Sequence, residues 1–142
     1  MATMHSMSGD IPGPLGNSHF VHVPYNTFKT KTDMIVIACV GDQFWPPLLD
    51  LLDDEELRDS RFEFAPSRLK EKAYIEERIN NVLINERAGY WLEKLENARI
   101  PCARVNNVSQ AMSDPQIMAR NMVVDLKHPL KGSAQVPGNP IK

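Results

Sequence analysis

The chain has 142 residues, of which 42% are apolar and 24% are charged, a composition typical of one globular domain with short tails. No apolar run approaches the roughly 20 residues that a membrane-spanning helix needs, so no membrane partner is expected. The net charge is −2, and the lysines and arginines are scattered. Because a duplex-binding protein needs a basic face, we expect no nucleic-acid partner either.

Shifts in composition divide the chain into three parts. Residues 1–17 predict a disordered or extended segment. Its first ten residues lack the basic and apolar regions of a secretory signal and are either a vector remnant or a ragged domain edge. Residues 18–121 predict a small α+β domain, and residues 122–142 predict C-terminal strands and a tail. Cys39 and Cys102 lie in apolar stretches, which favours reduced thiols and a cytoplasmic protein.

The first half of the central part predicts a hairpin followed by a helix. Residues 19–28 are rich in β-formers and predict a strand broken near Pro24. Residues 34–40 form a continuous apolar run and predict a central strand, paired antiparallel with the first. Gly41 breaks that strand, and Asp42 is a candidate N-cap for the next helix. The apolar stripe of that helix is Phe44, Trp45, Leu48, Leu49, Leu51 and Leu52.

The second half predicts further helices and short strands. Residues 61–67 predict a loop, and a long amphipathic helix begins at Ser67. The later elements are a helix at 88–97, a strand at 100–105, short helices at 108–112 and 115–119, and strands at 122–126 and 132–136. Strands and helices segregate more than they alternate. The predicted fold class is therefore α+β, with a small antiparallel sheet and several packed helices.

The titratable residues predict neither a metal site nor a nucleophile. His19 and His22 are three apart on a predicted strand, so their side chains should point to opposite faces. Cys102 and His128 are the residue types of a nucleophile pair, but nothing in the sequence brings them together. The acidic run at 53–56 predicts a solvated helix end, because four consecutive acids are difficult to bury. Zinc-ligand spacing, P-loop and hydrolase motifs are absent from the sequence.

The loop after the central strand is the strongest local candidate for a site. Backbone N–H groups at a helix start can face an anion or a developing oxyanion, and Gly41 with Asp42 stands at such a point. An ordinary strand-to-helix turn with Asp42 as its cap explains the same residues. A lone Gly-Asp pair by itself favours that ordinary turn.

A series of short segments forms a pattern that is more specific than its parts. In chain order the segments are Gly16-Asn17, Val23-Pro24-Tyr25 with Phe28-Lys29-Thr30, Ile35-Val36-Ile37-Ala38, Asp42-Gln43-Phe44-Trp45, Asp59-Ser60-Arg61-Phe62, Trp91 with Leu95, Ile100-Pro101-Cys102-Ala103-Arg104-Val105-Asn106, Asp114-Pro115-Gln116 with Ala119-Arg120, Met122-Val123, His128-Pro129, Gly132 and Pro137-Gly138-Asn139-Pro140. In order and spacing, this pattern resembles the family III CoA-transferases. That group includes formyl-CoA transferase, carnitine CoA-transferase, bile-acid CoA-transferase and α-methylacyl-CoA racemase. The resemblance covers residue 12 to the end.

The resemblance implies that this chain is the small domain of a larger enzyme, together with the start of the segment, residues 122–142, that returns toward the large domain. It places the chain beside a large Rossmann-like domain, in a homodimer whose two subunits interlock. The family's catalytic aspartate lies in the large domain, upstream of this sequence, so no catalytic residue is assigned here and the chain alone is expected to be inactive. Asp42, Asp59 and Asp114 match other family positions. The family uses no cofactor, because the CoA thioester is a substrate.

The resemblance also assigns a candidate pocket loop. A family loop that overhangs the active site falls at the position of Cys39, Val40, Gly41, Asp42 and Gln43. In formyl-CoA transferase this loop is glycine-rich and shields the acyl intermediate. Here one of the five residues is glycine, so a mobility like that of the glycine-rich loop is not expected.

The chemistry that the resemblance implies is covalent. A carboxylate attacks the acyl-CoA thioester to give a mixed anhydride and CoA thiolate, and the thiolate then attacks the anhydride to give an enzyme thioester and release the donor acid. The acceptor acid displaces the thiolate to form a new anhydride with the enzyme, and the thiolate attacks its acyl carbonyl to give the new acyl-CoA and free the carboxylate. Because anhydrides hydrolyse, water must be excluded, and a domain over the cleft would exclude it. The racemase members use deprotonation instead, and this segment does not separate the two activities. A non-catalytic assembly module and an unrelated α+β ligand-binding domain remain alternatives. An organelle address upstream of this sequence also remains open.

Overall fold

The computed structural model describes residues 2–9, 11 and 13–141. The chain forms two compact units, Met1–Val105 and Asn106–Lys142. The sequence pattern placed the end of the main domain at residue 121 instead. Within the described residues, no helix has both the length and the apolar character that crossing a membrane requires.

The described part of the first unit contains five α-helices and three strands. They are α1 (Ala2–Ser8), β1 (Tyr25–Lys29), β2 (Met34–Ala38), α2 (Trp45–Leu52), α3 (Ala65–Lys70), α4 (Lys72–Leu83), α5 (Ala88–Asn97) and β3 (Cys102–Arg104), with 3-10 helices at Asp42–Phe44, Glu55–Arg58 and Ser60–Phe62. α1 lies where extended or disordered chain was predicted. Alanine and methionine are strong helix formers, and the Ser6 hydroxyl donates to the Ala2 carbonyl at 3.0 Å.

The three strands form one antiparallel sheet in the order β1-β2-β3. Phe28 pairs with Ile35 across the hairpin, and Ile35 pairs with Arg104 on the other side. The predicted hairpin and the central position of residues 34–38 are therefore confirmed. β1 begins later than predicted, at Tyr25, because Pro24 has no N–H to donate to a strand ladder.

The helices after the sheet differ from the predicted ones at their ends. α3 begins at Ala65, inside the predicted loop, and Pro66 occupies its first turn, where the fixed φ of proline favours a helix start. The predicted long helix is interrupted at Glu71, which separates α3 from α4. α5 spans 88–97 as predicted.

The core of the first unit lies where the sheet meets α2, α4 and α5. Of the apolar stripe predicted for α2, Trp45, Leu48 and Leu52 are buried there, whereas Phe44, Leu49 and Leu51 are half-buried against the core. The Trp91 indole donates to the Leu83 carbonyl at 2.9 Å. The buried apolar residues are Val23, Phe28, Ile35, Ile37, Cys39, Trp45, Leu48, Leu52, Leu57, Phe62, Ile75, Ile79, Leu83, Ala88, Trp91, Leu95 and Ile100.

β1 lies at the edge of this sheet, and side chains bind two of its outward N–H groups. The Thr27 N–H donates to Oδ1 of Asn26 at 2.8 Å. The Lys29 N–H donates to Oδ1 of Asn80, on α4, at 2.9 Å. Two backbone donors that the ladder leaves unused are therefore satisfied.

The second unit consists of α6 (Val108–Met112), α7 (Pro115–Ala119), β4 (Val123–His128) and β5 (Gly132–Pro137). β4 and β5 form an antiparallel hairpin. The Met122 N–H donates to the Ile117 carbonyl and the Gly138 N–H to the Met122 carbonyl, at 3.0 and 2.8 Å. These bonds join α7 to the hairpin, so both short helices belong with the C-terminal strands. Between residues 106 and 141 no side chain is buried.

Candidate functional site

The candidate loop, residues 39–43, joins β2 to the 3-10 helix that precedes α2. Cys39 is buried, and its N–H donates to the Pro24 carbonyl at 3.0 Å. Val40 is 47% exposed. Gly41 has φ 119°, a backbone conformation that residues with a side chain rarely adopt. The loop therefore presents Val40 to solvent between a buried anchor and a position that requires glycine.

Asp42 does not cap the helix that follows it, so that prediction is wrong. It is the first residue of its own 3-10 helix, whose N-cap, Gly41, makes no side-chain hydrogen bond. Its carboxylate instead accepts the Ala65 N–H at 3.0 Å, at the first residue of α3, and pairs with the Arg68 guanidinium. Asp42 thus caps a helix 23 residues further along the chain.

Arg68 organises the surroundings of the loop, and its side chain is 2% exposed. Its Nε donates to the Val23 carbonyl at 2.9 Å, and its Nη1 donates to the carbonyls of Phe62 and Glu63, both at 2.8 Å. Its guanidinium carbon lies 5.0 Å from the ring centre of Trp45. The planar donor fork of arginine suits such a set of acceptors.

Sequence reasoning did not single out Arg68. An arginine in the first turns of an amphipathic stretch has the sequence signature of a solvated side chain. Only the packing of α3 against residues on distant elements reveals that this one is buried.

The thiol of Cys39 is not suited to nucleophilic attack. Burial raises its pKa to about 12, although the nearby Arg68 guanidinium opposes the shift. Burial also raises the pKa of the Cys102 thiol, with Glu96 adding to the effect. Because the thiolate is the reactive form, neither cysteine provides an activated nucleophile.

Two sequence predictions about charged residues are corrected by the structure. His19 and His22 do not lie on a strand or point to opposite faces, since their ring centroids are 4.6 Å apart. Asp54, in the acidic run, is buried instead of solvated. It accepts from Nε and Nη2 of Arg78 at 3.0 and 2.9 Å, and from the N–H groups of Glu56 and Leu57. Among the described residues, no three metal-ligand side chains converge on one point.

The chain belongs to CoA-transferase family III, whose family model matches residues 1–142. It is 29% identical over 138 residues to acetyl-CoA:oxalate CoA-transferase of Acetobacter aceti, covering 96% of this chain and 34% of that protein. It is 27% identical over 128 residues to succinyl-CoA:glutarate CoA-transferase of Homo sapiens, covering 89% of this chain and 29% of that one.

The fold also matches a solved structure. A CAIB/BAIF family protein from Brucella suis superposes with a TM-score of 0.81 at 26% identity, over 99% of this chain and 36% of that one. The family resemblance and the predicted α+β class are therefore confirmed. The chain spans about a third of the length of the curated relatives it matches.

Proposed function

We propose that this chain is part of a CoA-transferase, which moves CoA between an acyl-CoA thioester and a carboxylic acid, and that it supplies the small domain. The observation that carries the proposal is the family match over the whole chain, together with relatives named as CoA-transferases. Those names favour the transferase over the racemase. We further propose that the catalytic aspartate lies upstream of these residues, so the chain alone exchanges no thioester.

Within this proposal, residues 39–43 form part of the wall of the CoA and acyl pocket. The loop offers an exposed apolar side chain, Val40, on a backbone held at both ends. Cys39 holds one end through the Pro24 carbonyl, and Asp42 holds the other through Arg68. A fixed apolar wall would exclude water from an acyl intermediate that hydrolyses readily. We expect the loop to act as a rigid cover.

A second role, assembly of a homodimer, is favoured by one observation on the second unit. None of its side chains is buried between residues 106 and 141, and Leu126 and Leu130 are 60% and 91% exposed. Apolar groups exposed in this way commonly contact another surface. The two roles are compatible. A concentration series in analytical ultracentrifugation tests the second, and a monomer throughout the series would contradict it.

The loop assignment is tested by ¹H–¹⁵N spectra of the chain titrated with CoA and with acetyl-CoA. We expect shifts that concentrate on residues 40–45. Val40→Asp should abolish them, because a negative charge on the pocket wall repels the negatively charged CoA and opposes burial of the acyl group. Val105→Asp is the matched control, since Val105 is similarly exposed at 40%, and it should leave them unchanged. Spectra that ignore both ligands, or equal losses in the two variants, would contradict the assignment.

The predicted inactivity is tested separately, by thioester exchange with the chain alone. Acetyl-CoA with oxalate and succinyl-CoA with glutarate are suitable pairs, because two relatives are named for them. We expect no exchange above the rate without protein. Measurable exchange would show that these residues carry a nucleophile.

A further inference from the structure

The segment that leads into β1, residues 17–24, runs beside that strand and is called the strap here. Polar side chains fasten its first half. Nδ2 of Asn17 donates to the Thr27 hydroxyl at 3.2 Å, and Nδ2 of Asn26 donates to the Ser18 hydroxyl at 2.9 Å. The strap is therefore held by individual side-chain hydrogen bonds. Protonation or substitution of one bonding group is enough to break the bond that it makes.

His19 closes the turn at the centre of the strap. Its Nδ1 accepts the N–H groups of Val21 and His22 at 3.1 and 3.2 Å. Two donors aimed at Nδ1 require a lone pair there, so the imidazole is neutral and carries its proton on Nε2. Protonation of Nδ1 would replace this acceptor with a third donor, and both backbone bonds would be lost.

The groups around His19 oppose its protonation. The His22 and Tyr25 ring centroids lie 4.6 and 5.1 Å from that of His19. Nζ of Lys72, on α4, lies 3.5 Å from the His19 carbonyl oxygen. Burial, and then the charges of His22 and Lys72, hold the pKa of His19 below its ordinary value. At neutral pH the stable form of His19 is therefore the neutral imidazole, whose Nδ1 accepts the two hydrogen bonds.

The last residues of the strap bind the same groups that hold the candidate loop. The Val23 carbonyl accepts from Nε of Arg68, whose Nη2 binds Asp42. The Pro24 carbonyl accepts the N–H of Cys39, the first residue of the loop. Movement of the strap would therefore act on residues 39–43 at both of their anchors.

We propose that His19 is a pH-sensitive latch: with Nδ1 neutral it fixes the turn of the strap, and with Nδ1 protonated it releases the strap and loosens the loop at residues 39–43. The latch goes beyond the proposed function and does not depend on it. Only a consequence for CoA binding would rest on that function, and the experiment below uses no ligand.

The test is a pH series from 8 to 4 on the whole chain, followed by NMR. Side-chain ¹⁵N shifts report the protonation of His19, and amide exchange at Val21 and His22, normalised for intrinsic rates, reports the turn. Because the folded-state pKa is lowered, protection should be full above about pH 6.5 and fall below it. The fall should end once the pH is below the folded-state pKa of His19. In total, the protection factor should fall about tenfold for each unit by which folding lowers the pKa of His19.

Three variants separate the latch from general acid sensitivity. His19→Asn places Oδ1 near the position of Nδ1 and does not titrate, so protection should become independent of pH over this range. His19→Ala should lose protection at every pH. His22→Asn is the control: it should keep a fall of protection with pH, smaller than in wild type because the His22 charge that helps lower the His19 pKa is gone. The latch would be overturned if amide protection at Val21 and His22 fell equally with pH in wild type and in His19→Asn. It would also be overturned if protection in wild type did not fall at all.

The link to the loop has its own readout. The amide shifts of Gly41 and Asp42 should change with the same midpoint as the ¹⁵N shift of His19, and should not change in His19→Asn. Loop amides that stay constant while the strap titrates would overturn the link. Both results are independent of CoA, so they are distinguishable from a failure of the proposed function.

Discussion

A buried guanidinium holds together the residues around the candidate loop. Arg68 binds three backbone carbonyls from two separate segments as well as the carboxylate of Asp42. Each carbonyl would lack a partner if that side chain were removed. A buried acceptor without a donor costs about 1–3 kcal/mol, so Arg68 should influence stability more strongly than an exposed ion pair does.

Arg68→Ala should lower the free energy of unfolding by roughly 3–5 kcal/mol, because it leaves several buried polar groups unpaired. Arg68→Lys should lose less, since a lysine keeps the charge but cannot serve all the acceptors. Urea unfolding followed by tryptophan fluorescence measures both losses.

Arg61→Ala is the matched control for this prediction. The Arg61 side chain is 57% exposed and pairs with Asp59, so its loss should cost no more than about 1 kcal/mol. Similar losses for Arg61→Ala and Arg68→Ala would show that Arg68 is not a central structural residue.

At the residue scale, the sequence predicted the burial of apolar side chains better than the burial of polar ones. Periodicity identified Trp45, Leu48 and Leu52 as core residues, because spacing along a helix determines which side chains share a face. It identified neither the burial of Arg68 nor that of Asp54, because both depend on partners 24 or more residues away. The local rule for N-caps placed Asp42 on the wrong helix for the same reason.

At the scale of secondary-structure elements, the 3-10 helix Glu55–Arg58 is capped by the carboxylate of the residue before it, Asp54. Asp54 caps Glu55–Arg58 by accepting from two of its N–H groups, and it also binds Arg78 on α4 through two nitrogens. This residue therefore connects the end of α2 with the middle of α4.

Asp54→Ala should destabilise the chain by about 2–3 kcal/mol, since it removes a cap and the partner of Arg78. Asp54→Asn keeps one acceptor oxygen and should lose less. Glu55→Ala, at the exposed neighbouring acid, should stay within about 0.5 kcal/mol of wild type. Thermal and urea unfolding measure the stability of all three variants. An Asp54→Ala variant as stable as wild type would refute the capping role of Asp54.

Element types were more predictable than element ends. The hairpin, α2, α5 and the two short helices of the second unit follow from apolar runs, spacing and caps that are local in the sequence. The break at Glu71 and the helix α1 were not predicted. The position of the candidate loop was predicted from resemblance, whereas its anchors at Pro24 and Arg68 required the tertiary structure.

At the scale of the whole molecule, the two units differ in how much apolar surface they bury. All the buried apolar side chains in the described residues lie between Val23 and Ile100, within the first unit. The second unit is held by caps, turns and one hairpin. Isolated hairpins are marginally stable in water, so cooperative unfolding should belong to the first unit.

A chain shortened to residues 1–105 should therefore fold by itself. We expect a dispersed ¹H–¹⁵N spectrum and a thermal midpoint within a few degrees of that of the full chain, because the buried core is retained. Residues 106–142 alone should unfold without a sigmoidal transition. Circular dichroism on the two pieces and the full chain makes the comparison. Loss of cooperativity in the shorter chain would mean that the second unit is needed for folding.

The bonds on the outer edge of β1 bear on how the chain behaves when it is concentrated. An exposed edge strand normally offers a template on which strands from other molecules can add, and such addition is a route to aggregates and fibrils. Here Asn26 and Asn80 already occupy the N–H groups of Thr27 and Lys29, and the lysine places a charge on the same edge. An incoming strand would have to displace both amides before it could pair. This side of the sheet should therefore resist fibril growth even at the high protein concentrations that the ultracentrifuge and NMR experiments require.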